Sequence, residues 1–417
     1  MGEWKWPLKR LIDTPFHGVI ITINHRRGQE HECPPVYGVV GKRKLIDIKA
    51  ILRLALEKGA SDLHFVVPNP PILRINGRLV ILRDWPAVTP EDTVAIFQSI
   101  ATKYQQEQFS QEKELDFPLE LPEISRYRVN ASFQRDSISL VFRLVPLIIP
   151  TFEDLGLPEI CRTLAMLPRG LILITGPTGS GKSSTLAAML NYLNENVEKK
   201  VVTIEDPIEY VFPTGKCVVS QRQLGSDTRS FGAAVEHALR QDPNVIMIGE
   251  MRDLPTMASA LTAAETGHLV LSTLHTRGAA QSISRIIDVF PATQQQLVRI
   301  QLANVLEGVI SQALLSRADG KGRVAAFEVM LCTTAIRNLI RESKLNQIPV
   351  FMESGQEDGM KPLHKDLERL ISEGTITADE ALMLLPGVKG VDLTGIHPAE
   401  TKQTIIERFN RAIKEIG

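Results

Sequence analysis

The sequence predicts an α/β protein in which a parallel sheet covered by helices follows a smaller α+β domain. Three observations carry that reading. Four short, continuous apolar runs, Leu171 to Thr175, Val201 to Ile204, Val245 to Ile248 and Leu269 to Leu271, alternate with helical stretches, as strands buried on both faces require. The first run passes into a glycine-rich loop, Gly176 to Ser183, and then into a helix-forming stretch, Ser184 to Leu193. Upstream, residues 62 to 144 carry short strand patterns and an Asn76-Gly77 turn dipeptide.

Residues 1 to 44 hold two early tryptophans and a short strand pattern at 19–23, and read as an extension without an assignable role. From Leu45 a helical stripe of Ile48, Ile51, Leu52, Leu54 and Ala55 runs to Gly59. Strands are expected at 62–67, 72–75 and 78–82, with a second hairpin at 126–133 and 137–144. The domain so defined spans 45–147, and Pro146 to Pro150 mark the linker leaving it. The second domain spans 148–385. From about 290 onward helical periods dominate, among them Ile336, Leu339 and Ile340, which predicts helical C-terminal additions, and a tail follows over 386–417.

The 417 residues are 43% hydrophobic and 23% charged, which excludes global disorder and coiled coil. A formal charge of -1 gives no global attraction to nucleic acid or anionic lipid. Cys33, Cys161, Cys217 and Cys332 form no CxxC pair, so no zinc module or disulfide framework is read, and a reducing, cytoplasmic compartment is expected. No run reaches the roughly 18 apolar residues of a membrane span.

The glycine-rich loop reads Gly176-Pro177-Thr178-Gly179-Ser180-Gly181-Lys182-Ser183, the GxxxxGK[ST] pattern in its setting of strand, loop and helix. Each part has a physical task on a nucleoside triphosphate. The glycines let backbone N–H groups close around phosphate, the helix N-terminus adds positive potential, Lys182 neutralises β and γ charge, and Ser183 ligates magnesium. Ser184 and Thr185 continue the candidate nucleotide-binding segment.

Ligands of doubly wound sheets sit beyond the carboxyl ends of the strands, so polar groups just after the apolar runs converge on one crevice. The second run ends in Glu205-Asp206-Pro207-Ile208-Glu209, the third in Gly249-Glu250-Met251-Arg252-Asp253, and the fourth in Ser272-Thr273-Leu274-His275. Glu250 is the expected water-orienting carboxylate with a share in Mg2+ binding, and Glu205 its partner. His275 is the candidate γ-phosphate sensor, and His268, just ahead of the fourth run, a second candidate for nucleotide contact. Singly, each carboxylate reads as well as a loop residue or helix N-cap, and each histidine as a structural one.

Together these segments resemble the secretion ATPase superfamily of type II secretion and type IV pili, and within it the PilT-like retraction ATPases. The resemblance covers about residues 45 to 360. It is carried by the Walker A loop GPTGSGKSST at 176–185, the aspartate box TIEDPIEY at 203–210, ALRQDPNVIMIGEMRD at 238–253, and the histidine box TGHLVLSTLHT at 266–276. KGASDLHF at 58–65, PPILRINGRL at 70–79 and RYRVNASFQRDSISLVFRLVP at 126–146 are similar to the PAS-like amino-terminal domain of that family. AIRNLIRE at 335–342 looks like the retraction-type signature; physically it is an amphipathic helix with Ile336, Leu339 and Ile340 inward and Arg337, Arg341 and Glu342 outward. Asn244 stands where the family usually has aspartate.

The resemblance implies a RecA-like P-loop ATPase domain preceded by a PAS-like α+β domain, with ATP and Mg2+ as cofactors. It implies Arg128 and Arg143 as arginine contacts to nucleotide, since a guanidinium keeps its charge and grips phosphate bidentately. It further implies a homohexamer at the inner face of the cell membrane, docked on an inner-membrane pilus platform protein and retracting pili. An extension or secretion ATPase, a RecA-like motor on nucleic acid, and a silent nucleotide-binding regulator are the alternatives. Direct nucleic-acid binding is not expected.

Overall fold

A computed structural model of the chain describes residues 46–75, 77–121, 125–145 and 148–384. The segments 1–44 and 386–417, and with them the strand expected at 19–23, lie outside the described residues, as do residues 146 and 147 of the linker.

Helix α1 (Ile48–Glu57) starts at Asp47, whose carboxylate accepts from the backbone N–H groups of Lys49 and Ala50, and it buries Ile51, Leu52 and Ala55. Strands β1 (Ala60–Phe65), β2 (Ile72–Ile75) and β3 (Arg78–Ile81) follow. Residues 83–121, where no element is expected from the sequence, form α2 (Pro90–Ile100), α3 (Lys103–Glu112) and β4 (Glu114–Leu121). Both helices open with capping boxes, Thr89 with Asp92 and Thr102 with Gln105, a spacing readable in the sequence. With β5 (Ser125–Gln134) and β6 (Ser137–Val145) the strands make an antiparallel sheet in the order β3-β2-β1-β6-β5-β4. Pro118 sits on its edge strand β4, where a missing N–H costs no ladder bond.

Two short helices, α4 (Phe152–Leu155) and α5 (Ile160–Ala165), lead into β7 (Gly170–Thr175) and α6 (Lys182–Asn196). The chain then runs through β8 (Lys200–Glu205), β9 (Val218–Gln223), α7 (Phe231–Ala238), β10 (Val245–Ile248), α8 (Leu254–Glu265) and β11 (Leu269–Leu274). Beyond these come α9 (Ala279–Val289), α10 (Ala292–Val305), β12 (Leu306–Ser316) and β13 (Arg323–Leu331). The second sheet has seven strands in the order β13-β12-β7-β11-β10-β8-β9, parallel except for β13. Every residue of β7, β10 and β11 is buried, because one hydrophobic cluster packs each face.

Two expectations fail here. The region from about 290 is not helical throughout: residues 306–331 form the β12–β13 hairpin that completes the sheet. Leu306–Ser316 mixes Leu, Val and Ile with Glu, Gly, Ser and Gln and shows no continuous apolar run, and pairing between β7 and β13 decides its state. Arg337 does not face outward from α11 (Thr334–Arg341). Its guanidinium donates to the Ala303 and Asn304 carbonyls at the end of α10 and pairs with Glu307, satisfying carbonyls that the helix itself leaves open. Ile336, Leu339 and Ile340 are buried as expected.

Helices α12 (Ile348–Ser354), α13 (Leu363–Ser372) and α14 (Ala378–Leu382) end the described chain. Asp366 of α13 is wholly buried, accepts from the Phe327 N–H of β13 at 2.9 Å, and is flanked by Lys361 and Arg369. Asp366→Ala is expected to destabilise the fold by about 2 to 4 kcal/mol by stranding these donors, lowering the urea midpoint followed by circular dichroism.

Candidate active site

Gly176 leaves β7 at φ +142°, and a Cβ there would lie 2.2 Å from the carbonyl oxygen of Gln312 on β12, so only glycine fits. Gly179 and Gly181 also take positive φ. Helix α6 begins without a side-chain cap, unlike α1, α2 and α3, and its first N–H groups remain available to an anion.

Lys182 is 8% exposed, and its ammonium donates to the Gly176 and Pro177 carbonyls, each at 3.0 Å. Burial pulls its pKa below the ordinary lysine value, against the opposing charges of Glu250 and Glu209. The His275 ring lies between it and Glu250: Nδ1 is 3.3 Å from the ammonium and 3.4 Å from the Thr178 hydroxyl, and Nε2 is 3.1 Å from Glu250 Oε1. An ammonium can only donate and a carboxylate only accept, so this geometry suits the tautomer with its proton on Nε2.

Three hydrogen bonds between the strand ends position that pair. The Ser272 hydroxyl donates to the Ile248 carbonyl, the Thr273 hydroxyl to that of Gly249, and the Met251 N–H to that of Thr273. They lock the ends of β10 and β11 together. N-cap duty falls to Asp253, which accepts from Thr256 at the start of α8, and Glu250 is left in the cleft. Burial raises the Glu250 pKa, but the hydrogen bonds from Arg252 and His275 and the charge of Arg252 outweigh it and hold the carboxyl below its usual range. Glu205 differs. Burial pushes its carboxyl up, only partly offset by hydrogen bonds from Thr203 (2.6 Å) and Gln221 (3.1 Å).

These groups line one cleft of about 350 Å³, of a size that suits a nucleotide. Thr178, Gly179, Lys182, Ser183, Glu205, Glu250 and His275 all line it, and Arg128 reaches it from β5. Gly176, Pro177, Ser180 and Gly181 shape the loop from behind. Ser184 and Thr185 turn their side chains elsewhere. Neither is among the lining residues; the Ser184 hydroxyl pairs with Tyr210 at 2.9 Å, and that of Thr185 donates to Gln312 at 2.9 Å.

Two further expected residues stand apart from the cleft. His268 precedes β11, at the end of the parallel sheet opposite the phosphate loop, where its ring meets the Ala263 carbonyl and the Thr266 hydroxyl. A six-residue strand, roughly 17 Å long, separates it from the cleft. Arg143 does not line the cleft either. It is the register partner of Arg128, but its guanidinium is held at 2.8 Å by Asp62, which is 4% exposed and also faces Arg74. The sequence reading missed Tyr210, Gln221 and Gln312. Gln312 carried no signal, because its segment reads as helix.

A family model described as type II/IV secretion system protein matches residues 151–321. The type IV pilus retraction ATPase PilT of Pseudomonas aeruginosa is 45% identical over 336 residues, 81% of this chain and 97% of that one. A twitching motility protein of Neisseria gonorrhoeae is 45% identical over 311 residues, 75% and 83% of the two chains. The chain belongs to the type II/IV secretion ATPase family, in its PilT-like group. A crystal structure of the pilus retraction motor PilT with bound ADP superposes with a TM-score of 0.78 at 45% identity, covering 82% of this chain and 98% of that one. As a PilT-like family member the chain is an ATPase. Among the described residues no helix is long and apolar enough to cross a membrane.

The raised Glu205 carboxyl yields a pH-dependent test. The unfolded chain ionises this group near the ordinary 4.5 and the folded chain only at higher pH, so the fold loses stability as pH rises through that window. Glu205→Gln keeps an oxygen that can accept from Thr203 and Gln221, and is expected to melt a few degrees above wild type at pH 8. That gain should shrink toward pH 4.5; a gain independent of pH in scanning calorimetry would refute the assignment.

Proposed function

We propose that this chain is the ATPase motor of a type IV pilus machine and that it drives pilus retraction by hydrolysing ATP in the cleft beneath the phosphate loop. The observation that carries the chemistry is the continuous chain Lys182–His275–Glu250–Arg252, set under a helix N-terminus free to take an anion. Likeness to a retraction ATPase over 97% of that relative's length, together with the Ala335–Glu342 segment, supports retraction over assembly.

Each group then has a task. Lys182 exchanges its two carbonyl partners for β- and γ-phosphate oxygens. Glu250, kept ionised, orients the attacking water and accepts its proton, with Glu205 at the neighbouring strand end as its partner. His275, bonded to both Lys182 and Glu250, senses whether a γ-phosphate separates them. Arg128 brings a permanent positive charge from the small domain. Ser183 and Glu250 are oxygen donors of the class magnesium takes, and would hold an ion that neutralises phosphate charge. A homohexamer peripheral to the membrane, docked on an inner-membrane platform protein, completes the reading; light scattering with nucleotide tests the ring.

Lys182→Ala is expected to abolish turnover, and Glu250→Gln to keep ATP binding while losing hydrolysis by at least about a hundredfold. Wild-type turnover in Glu250→Gln would move the catalytic carboxylate to Glu205. In cells lacking the gene, complementation with wild type but not Lys182→Ala should restore twitching and remove excess surface pili. Absent pili in the deletion strain would reassign the motor to extension.

A further inference from the structure

Gln312 lies on β12, outside the motif segments quoted from the sequence, yet its side chain reaches the phosphate loop. It is 4% exposed. Its Nε2 donates to the Ser180 carbonyl at 2.6 Å, and its Oε1 accepts from the Thr185 hydroxyl at 2.9 Å. The orientation is forced, because a backbone carbonyl cannot donate and must therefore face the amide nitrogen. One side chain thus ties the crest of the loop to the first turn of α6. The backbone carbonyl of the same residue packs where a Cβ on Gly176 would stand, and Nε2 lies 3.1 Å from the corresponding position on Gly181. Two hydrogen bonds from a single residue thus brace the loop and the start of α6 from behind, with its backbone packed close against Gly176.

The hairpin also holds the chain where it leaves β11. Ser311 accepts from the Gly278 N–H at 3.0 Å, and Glu328, directly across the ladder from Ser311, accepts from the Ala279 N–H at 2.7 Å. These bonds fix the turn that follows His275. Phe327, the ladder partner of Gln312, is in turn gripped by Asp366 of α13.

We propose that Gln312 is a positioning residue of the nucleotide site, holding the phosphate loop in its anion-ready form through Ser180 and Thr185. The inference rests on the ATPase reading and deepens it. Without the clamp the loop samples other arrangements, and apparent affinity falls in proportion to the fraction still competent. Gln312→Met fills similar space but makes neither bond. In the full chain it is expected to weaken ADP binding, measured by titration calorimetry, by about tenfold, and to raise KM for ATP with kcat changed less than about twofold. Thr185→Val removes only the bond to the first turn of α6 and should weaken ADP by about threefold. A residue that merely fills the core would lower Tm and leave affinity in place, so wild-type ADP affinity in either folded variant overturns the assignment. Wild-type protein that itself takes no ADP sinks the ATPase reading and this assignment with it. Wild type that binds, beside variants that bind equally, sinks this assignment alone.

Discussion

A buried ammonium without a counterion is among the most costly groups a protein can hold, and the site is organised around one. Lys182 has lost most of its water, and the groups around it replace that hydration: two carbonyls of its own loop, the Nδ1 of His275, and the negative charge of Glu250 beyond the ring. The arrangement holds the cation without satisfying it with a direct carboxylate. An anion entering under α6 therefore meets a lysine whose present partners are neutral, and displacing them costs less than breaking a buried ion pair.

That arrangement exists only because the sheet delivers it. Parallel strands send all their carboxyl ends to one edge, so β7, β8, β10 and β11 bring loop, Glu205, Glu250 and His275 to one place from positions up to about a hundred residues apart. Side-chain bonds between the ends of β10 and β11, and the hairpin behind the loop, then remove the slack that backbone topology leaves. The acids at adjacent strand ends meet different surroundings. Glu250 faces two cationic or proton-donating partners and stays ionised, whereas Glu205 is enclosed and is pushed toward its neutral form.

What the sequence made legible follows from locality. The phosphate loop is one continuous pattern, and fully buried strands announce themselves as apolar runs, so β7, β8, β10 and β11 and the groups at their ends can be read directly. Strand β12 is buried along most of its length, but Glu307, Gly308, Ser311 and Gln312 break up its Leu, Val and Ile, so no continuous apolar run marks it and only its neighbours decide it. Gln312 was lost with it. His268 shows the complementary limit. Its place in a motif is a fact of sequence, but which end of a strand faces the ligand is a fact of topology, and six residues separate the two ends.

The two arginines expected at the cleft divide on the same physical ground. Arg128 and Arg143 stand opposite each other in one ladder, so register alone cannot distinguish them. Their partners can. Arg143 holds Asp62, buried beside Arg74, and leaving it would strip a desolvated carboxylate of its nearest cation. Arg128 faces Asp116 at 3.5 Å, and both side chains are well exposed, so that contact is worth no more than about 1 kcal/mol. The arginine that lines the cleft is thus also the one whose resting partner is cheaply left. A nucleotide phosphate could recruit it without unravelling the small domain that carries it.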